Sequence, residues 1–204
     1  GVAQWAPNEK VALEVGVGVA FGGRRALVTM KHVGLNVAAD PLFTASYTGV
    51  AGGLAVLVAD DPGMHSSQNE QDSRHYARAA KVPLLEPSDS QEAYEFTRLA
   101  FRLSEQFDTP VLLRTTTRLS HGKSTVRPAG EADAPGAPKA PADPSKYVMI
   151  PAFATQRHRV VEQRLRDLRA WAETAAITRA AYRDRAVGVI TSGINYQYVR
   201  EVMP

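Results

Sequence analysis

The sequence predicts an α/β fold, a parallel sheet with helices on both faces. Four short segments, Arg25 to Met30, Leu54 to Ala59, Pro83 to Glu86 and Val111 to Thr115, are continuously apolar or β-branched rather than alternating. That is the pattern of strands covered on both sides. Between them lie helical segments, Asn36 to Thr48, Asn69 to Ala80 and Asp89 to Phe107, of the length a right-handed parallel crossover needs. The first two strand-like segments then break at once into Gly, His, Asn, Asp and Arg, at Thr29 to Asn36 and Asp60 to Arg74. An α/β sheet presents its chemistry in such loops, at the carboxyl ends of its strands.

The elements follow in order. Asn8 to Phe21 reads as a helix, with Asn8 as its N-cap after Pro7. Gly16, Gly18, Gly22 and Gly23 cost about 1 kcal/mol each wherever they fall inside that helix, and close backbone packing is the expected compensation. Ser88-Asp89-Ser90-Gln91 has capping-box spacing, Ser88 and Gln91 each satisfying the other's free backbone donor, and it opens the helix that carries Tyr94, Phe96, Leu99, Ala100 and Leu103. Residues 1–121 thus make one sheet-bearing unit. From 122 to 145 the chain turns to Pro, Ala, Gly, Asp and Lys without apolar periodicity, a linker or surface excursion. Residues 146–204 continue with a long helix from Thr155 to Arg183, a strand from Ala186 to Thr191 and a helix from Ile194 to Val202, read as the start of a second α/β domain. One strand and one helix cannot bury a core, so the chain reads as a fragment of a larger protein.

Composition narrows the chemistry. The 204 residues are 44% apolar and 22% charged, ordinary for a globular protein, and include no cysteine. A disulfide framework, a thiolate nucleophile and a cysteine-ligated cluster are excluded within this piece. No apolar run is long enough to cross a bilayer, and the first residues have no basic-then-apolar leader pattern, so the expected location is the cytoplasm, without membrane attachment. Much of the +3 formal charge comes from Arg157 to Arg185, where eight arginines face four acids. With no nucleic-acid-reading motif, this is a solvated helix face and no nucleic-acid partner is expected.

Several residues could carry chemistry. Glu9 lies in the first turn of the first helix, where a carboxylate also simply favours the helix dipole. Glu14 falls on another face. Lys31 and His32 follow a strand end beside Gly34. Arg74 sits after the polar run Ser66-Ser67-Gln68-Asn69, free to hold a carboxylate with two parallel hydrogen bonds or to pair with Asp72 or Glu70. His65 has the same ambiguity. Gly16-Val17-Gly18 is not a dinucleotide fingerprint, since no strand precedes it and the third glycine is misplaced.

Taken together, Asn8 to Glu14, Val28 to Asn36, Val58 to Gly63, His65 to Asp72 and Leu113 to Arg118 resemble, in the same order, the large (alpha) subunits of the indolepyruvate ferredoxin oxidoreductases. These are thiamine-diphosphate-dependent 2-oxoacid:ferredoxin oxidoreductases. The resemblance implies the pyrimidine-binding module of the thiamine-diphosphate-binding fold over residues 1–121, with Gly188 to Gly193 and Tyr196 to Val199 entering the next domain. In thiamine enzymes a glutamate hydrogen-bonds a ring nitrogen of the aminopyrimidine, and Glu9 matches it through the Asn-Glu-Lys motif. The resemblance also makes Lys31 and His32 candidates for the cofactor mouth, and Arg74, with His65 or Gln68 in its place, a candidate receptor for the oxoacid carboxylate. The implied reaction is oxidative decarboxylation of an aryl pyruvate, with electrons passing to ferredoxin and the acyl group to coenzyme A. No Gly-Asp-Gly run with a downstream Asn holds a magnesium diphosphate here. Magnesium and iron–sulfur clusters are therefore expected in the remaining domains or a second subunit, with no metal ligand in this piece and no activity from it alone. A pyruvate or other 2-oxoacid enzyme, and a non-catalytic interaction module of the same fold, are the competing readings.

Overall fold

A computed structural model of the chain describes residues 1–130, 143–182 and 186–203. The chain opens with α1 (Glu9–Phe21), capped by Asn8, whose side chain accepts from the Val11 amide at 2.9 Å. Strand β1 (Ala26–Lys31) passes without a loop into α2 (His32–Val37), followed by α3 (Ala39–Thr48). The expected loop after the first strand is therefore a helical turn, and the expected 36–48 helix is two helices broken at Ala38. Next come β2 (Leu54–Asp60), α4 (Ser73–Ala80), the two-residue β3 (Leu84–Leu85), α5 (Ser90–Phe107) and β4 (Val111–Thr116). Residues 69–72, expected in the helix, stay outside it because Asp72 is the cap of α4. The box at α5 is shifted by one residue from its expected place. Asp89 accepts from the Glu92 amide, and Glu92 reaches back to the Ser88 amide, both at 2.8 Å.

The four strands are parallel, in the order β1-β2-β4-β3. Alternate residues of β2 face opposite ways, and both sets are buried. Leu54, Val56 and Val58 pack with Leu13 and Ala20 of α1, Leu35 of α2, Leu42 of α3 and Ala77 and Ala80 of α4. Ala55 packs on the other face with Val111 and Leu113 of β4 and Phe96, Ala100 and Leu103 of α5. The connections that step outward from β1 lie on one face and the one that steps back lies on the other, as right-handed crossovers require. Gly16 shows the close packing its helix position demanded, since a Cβ there would sit 2.5 Å from Val28 Cγ2. Gly18 has open space beside it, and Gly22 and Gly23 lie past the helix end.

After α6 (Thr117–His121), residues 122–130 run along α5, where Gln91 exchanges two hydrogen bonds with the Arg127 backbone. The middle of the expected linker, 131–142, lies outside the described residues. Then come α7 (Pro144–Tyr147), α8 (Pro151–Thr174) and α9 (Asn195–Val202). The expected long helix starts four residues earlier, with proline in its first turn, and ends at Thr174, short of Arg183, which lies outside the described residues.

Helix α8 crosses the amino-terminal edge of the sheet. Arg157 donates to the Tyr47 carbonyl and Arg164 to the Ser46 carbonyl, at the end of α3, while Glu162 pairs with Lys81 after α4 and Trp171 meets Phe107 at the end of α5. Part of the arginine run is thus an anchor rather than a solvated face. Residues 186–191 form no strand, and Val187, Val189 and Ile190 are exposed. No helix of the described residues is long and apolar enough to cross a membrane.

Candidate active site

With the amino edge covered by α8, the opposite edge carries the candidate residues in two groups. The first surrounds the end of β1. Helix α1 starts at this edge and runs away from it toward the start of β1, so Glu9 in its first turn lies beside α2, half-buried against the Cα of Gly34. A Cβ at position 34 would stand 2.5 Å from Glu9 Cγ and 2.9 Å from Oε1. The Glu9 side chain has no hydrogen bond or ion pair among the described residues. It is a carboxylate in the first turn of α1, seated on Gly34, with its acceptor oxygens free of partners among the described residues.

The second group is a cleft of about 240 Å³ over the ends of β2, β3 and β4, lined by His65, Arg74, Glu86, Arg114, Thr116 and Arg118 together with Ile194 and Asn195 from the far end of the chain. Here the crossovers from neighbouring strands leave to opposite faces, and such a switch point opens a crevice. Buried Arg114 forms the floor, its Nε 2.6 Å from Asp60 Oδ2 and its Nη1 bonded to Glu86. Asp60 Oδ2 also accepts from the amide and hydroxyl of Ser73, fixing the start of α4. Asp60 Oδ1 and the hydroxyl of its register partner Thr116 are buried without partners among the described residues.

A loop from Asp61 to Asp72 joins the two groups. Asp61 gathers the Thr117 hydroxyl at 2.6 Å, the Ser67 hydroxyl at 2.7 Å and the Ser66 amide at 2.8 Å. These donors, the Thr117 hydroxyl foremost, hold its carboxyl well below the usual carboxylate range. From the β1 side, Lys31 Nζ donates to the Ser66 carbonyl at 3.1 Å and His32 Nε2 lies 3.3 Å from Ser67 Oγ. Lys31 and His32 therefore both hold this loop.

Arg74 lines the cleft, but its guanidinium is engaged by Asp72, with Nη2 2.6 Å from Oδ2. The Arg74 hydrogen bond brings the Asp72 carboxyl down to about 2. Of the two readings left open for Arg74, the ion pair with Asp72 is the one present. Gln68 is exposed and outside the cleft lining, as are Glu9, Lys31 and His32. Sequence reasoning assigned no role to Asp60, Asp61, Ser67, Arg114 or Thr117, which build the floor and the loop. One signal was present: an arginine inside a strand covered on both faces must have a buried carboxylate partner.

Residues 4–185 match the profile of the family described as pyruvate flavodoxin/ferredoxin oxidoreductase, thiamine diphosphate-binding. The chain is 46% identical over 202 residues to the indolepyruvate oxidoreductase subunit IorA of Methanothermobacter thermautotrophicus, covering 98% of this chain and 33% of that protein. It is 42% identical over 206 residues to the subunit of the same name in Pyrococcus horikoshii, covering 98% of this chain and 32% of the relative. It thus spans about a third of the length of these relatives. Its fold superposes on the 2-oxoglutarate:ferredoxin oxidoreductase of Magnetococcus marinus with a TM-score of 0.69 at 16% identity, over 100% of this chain and 43% of the other. With nine-tenths of its length inside the family profile and a parallel sheet of the same fold, the chain belongs to the pyruvate flavodoxin/ferredoxin oxidoreductase, thiamine diphosphate-binding family.

Proposed function

We propose that the full-length protein is a thiamine-diphosphate-dependent 2-oxoacid:ferredoxin oxidoreductase that converts aryl pyruvates of the indolepyruvate type to aryl-acetyl-CoA. Residues 1–121 contribute the side that receives the aminopyrimidine, 122–145 connect, and 146–204 lead toward the next domain. One observation carries this reading. The Glu9 carboxylate, half-buried and without a partner among the described residues, rests on the only residue type that leaves it room, Gly34. A half-buried acceptor of this kind suits a heteroaromatic ring nitrogen that carries a proton, because pairing offsets the cost of burying the charge.

When bound, the cofactor supplies an acidic carbon that serves as nucleophile toward the oxoacid and retains the electrons left by loss of carbon dioxide. Glu9 holds the proton at the ring nitrogen. Lys31 and His32 shape the mouth by fixing the 61–72 loop, and the oxoacid carboxylate is received by Arg74, exchanging Asp72 for the substrate, or in its place by His65 or Gln68 of that loop. Magnesium and the iron–sulfur clusters belong to the other domains or a second subunit, where ferredoxin and coenzyme A engage a cytoplasmic complex. The names of the relatives support the aryl substrate.

The test is thiamine diphosphate binding and aryl-pyruvate-dependent dye reduction by the full-length complex, with and without Glu9→Gln. Turnover is expected to fall by about a hundredfold or more, the usual weight of a positioned proton-transfer group. Unchanged turnover rules out the role of Glu9. Competition among indolepyruvate, phenylpyruvate and pyruvate should favour the aryl acids, and preference for pyruvate would overturn the substrate assignment.

A further inference from the structure

His32 is 1% exposed, and its buried ring makes a single hydrogen bond among the described residues, Nε2 to Ser67 Oγ at 3.3 Å, with Nδ1 unpartnered. The direction of that contact follows from the next one. Ser67 has one hydroxyl hydrogen, and at 2.7 Å it goes to Asp61 Oδ2. Asp61 is an acceptor only, since the Thr117 hydroxyl and the Ser66 amide also donate to it. Ser67 Oγ therefore accepts from His32, and the hydrogen sits on Nε2. A chain of donors runs from His32 through Ser67 to Asp61 and meets Thr117 coming from the other side. It ties the end of β1 to the ends of β2 and β4 across the base of the loop that carries His65 to the cleft.

We infer that His32 is a positioning residue, acting on the 61–72 loop through Ser67 and Asp61 and touching neither cofactor nor substrate. Burial keeps its ring away from solvent, and the relay gives it one rotamer and one donor direction. Lys31 adds a second tether on the adjacent residue through the Ser66 carbonyl. The loop needs both, because Gly63 and Met64 turn it through two consecutive left-handed conformations, with φ of 80° and 54°. Such a turn in a non-glycine residue persists only where the surroundings fix it.

The inference rests on the proposed oxoacid site only for what the loop serves, so its test does not begin with turnover. Amide hydrogen exchange by mass spectrometry on the full-length protein follows peptides spanning 61–72 against those of β2 and β4 in His32→Ala, Ser67→Ala, the double variant and His32→Gln. Each alanine variant is expected to raise loop exchange about tenfold while the strands stay protected. The double variant should add nothing further, because both residues act in one chain. Glutamine, whose amide nitrogen reaches the place of Nε2, should return exchange to within about twofold of the parent. Loop exchange unchanged in Ser67→Ala, or single effects that multiply in the double variant, overturns the inference even where His32→Ala loosens the whole fold. In the oxoacid assay His32→Ala should raise KM about tenfold with kcat nearly kept. A loss confined to kcat would place His32 in the chemistry and overturn the positioning role.

Discussion

At the scale of single residues, the site depends on which charges are paired and which are left free. Arg114 is committed to Asp60 and Glu86, Arg74 to Asp72, and Asp61 to three donors, whereas Glu9 is uncommitted. Gly34→Ala tests the seat of Glu9 directly. Its Cβ would meet Glu9 Cγ at 2.5 Å, so thiamine diphosphate affinity should fall about tenfold in a binding titration. Alanine favours a helix over glycine by about 1 kcal/mol, so the melting temperature should not fall with it. Lower stability with unchanged affinity would separate Gly34 from the cofactor. The paired aspartates set the acid limit. Asp61 and Asp72 both titrate below their ordinary 3.8, so the stability they contribute is complete above that value and lost as pH falls toward 2 and beyond. Denaturant midpoints should drop between pH 4 and pH 2, and Asp61→Asn should flatten that fall.

At the scale of elements, α8 is the least expected participant. Its apolar positions Val161 and Leu168 are buried, and between them Arg164, 4% exposed, reaches the Ser46 carbonyl at 2.7 Å. Burial pulls the Arg164 guanidinium down to about 10, against the nearby Asp108 that raises it. The last turn of α3 presents carbonyls without helical partners, and the guanidinium satisfies one of them. Arg164→Ala should cost about 2 kcal/mol in denaturant unfolding, from the orphaned carbonyl and lost packing. Aryl-pyruvate KM should be unaffected, since α8 lies at the edge opposite the cleft.

At the scale of the whole molecule, the two edges divide the labour. The amino edge is closed by α8, and the carboxyl edge holds Glu9 on one side of the 61–72 loop and the cleft on the other. The chain then returns to complete that cleft. Ser192 donates to Glu86 at 3.0 Å, Gln197 to Ser88 and Asp89 at 3.1 Å, and Ile194 and Asn195 line the wall. Ending the chain after residue 121 would uncover the contacts of Val161, Leu168 and Trp171, worth about 5 kcal/mol at 1.5–3 kcal/mol per buried side chain. Against the 5–15 kcal/mol typical of a domain, the truncated protein should melt far below the parent or aggregate. Equal melting of the two would show α8 to be dispensable.

The sheet was legible in the sequence because strands buried on both faces, as β2 and β4 largely are, run apolar or β-branched instead of alternating, whereas β1 is covered on one face only and leaves Leu27 and Thr29 exposed. The four strands fell where expected, to within a residue or two at their ends. Glu9 and Arg74 were legible as candidates from short motifs. The path of α8, the pairing of Arg74 with Asp72 and the seat of Glu9 on Gly34 join residues through fixed geometry, and periodicity says nothing of it. The same holds for residues 186–191. Their β-prone run gave the expectation of a strand, but a ladder needs a partner, and only the tertiary structure decides whether one is there. By itself the sequence determined the parallel sheet and the residue types at its functional edge. The tertiary structure decided which of those charges are neutralised and which, Glu9 among them, stay unpaired among the described residues, because pairing depends on distances between strand ends that lie dozens of residues apart in the chain.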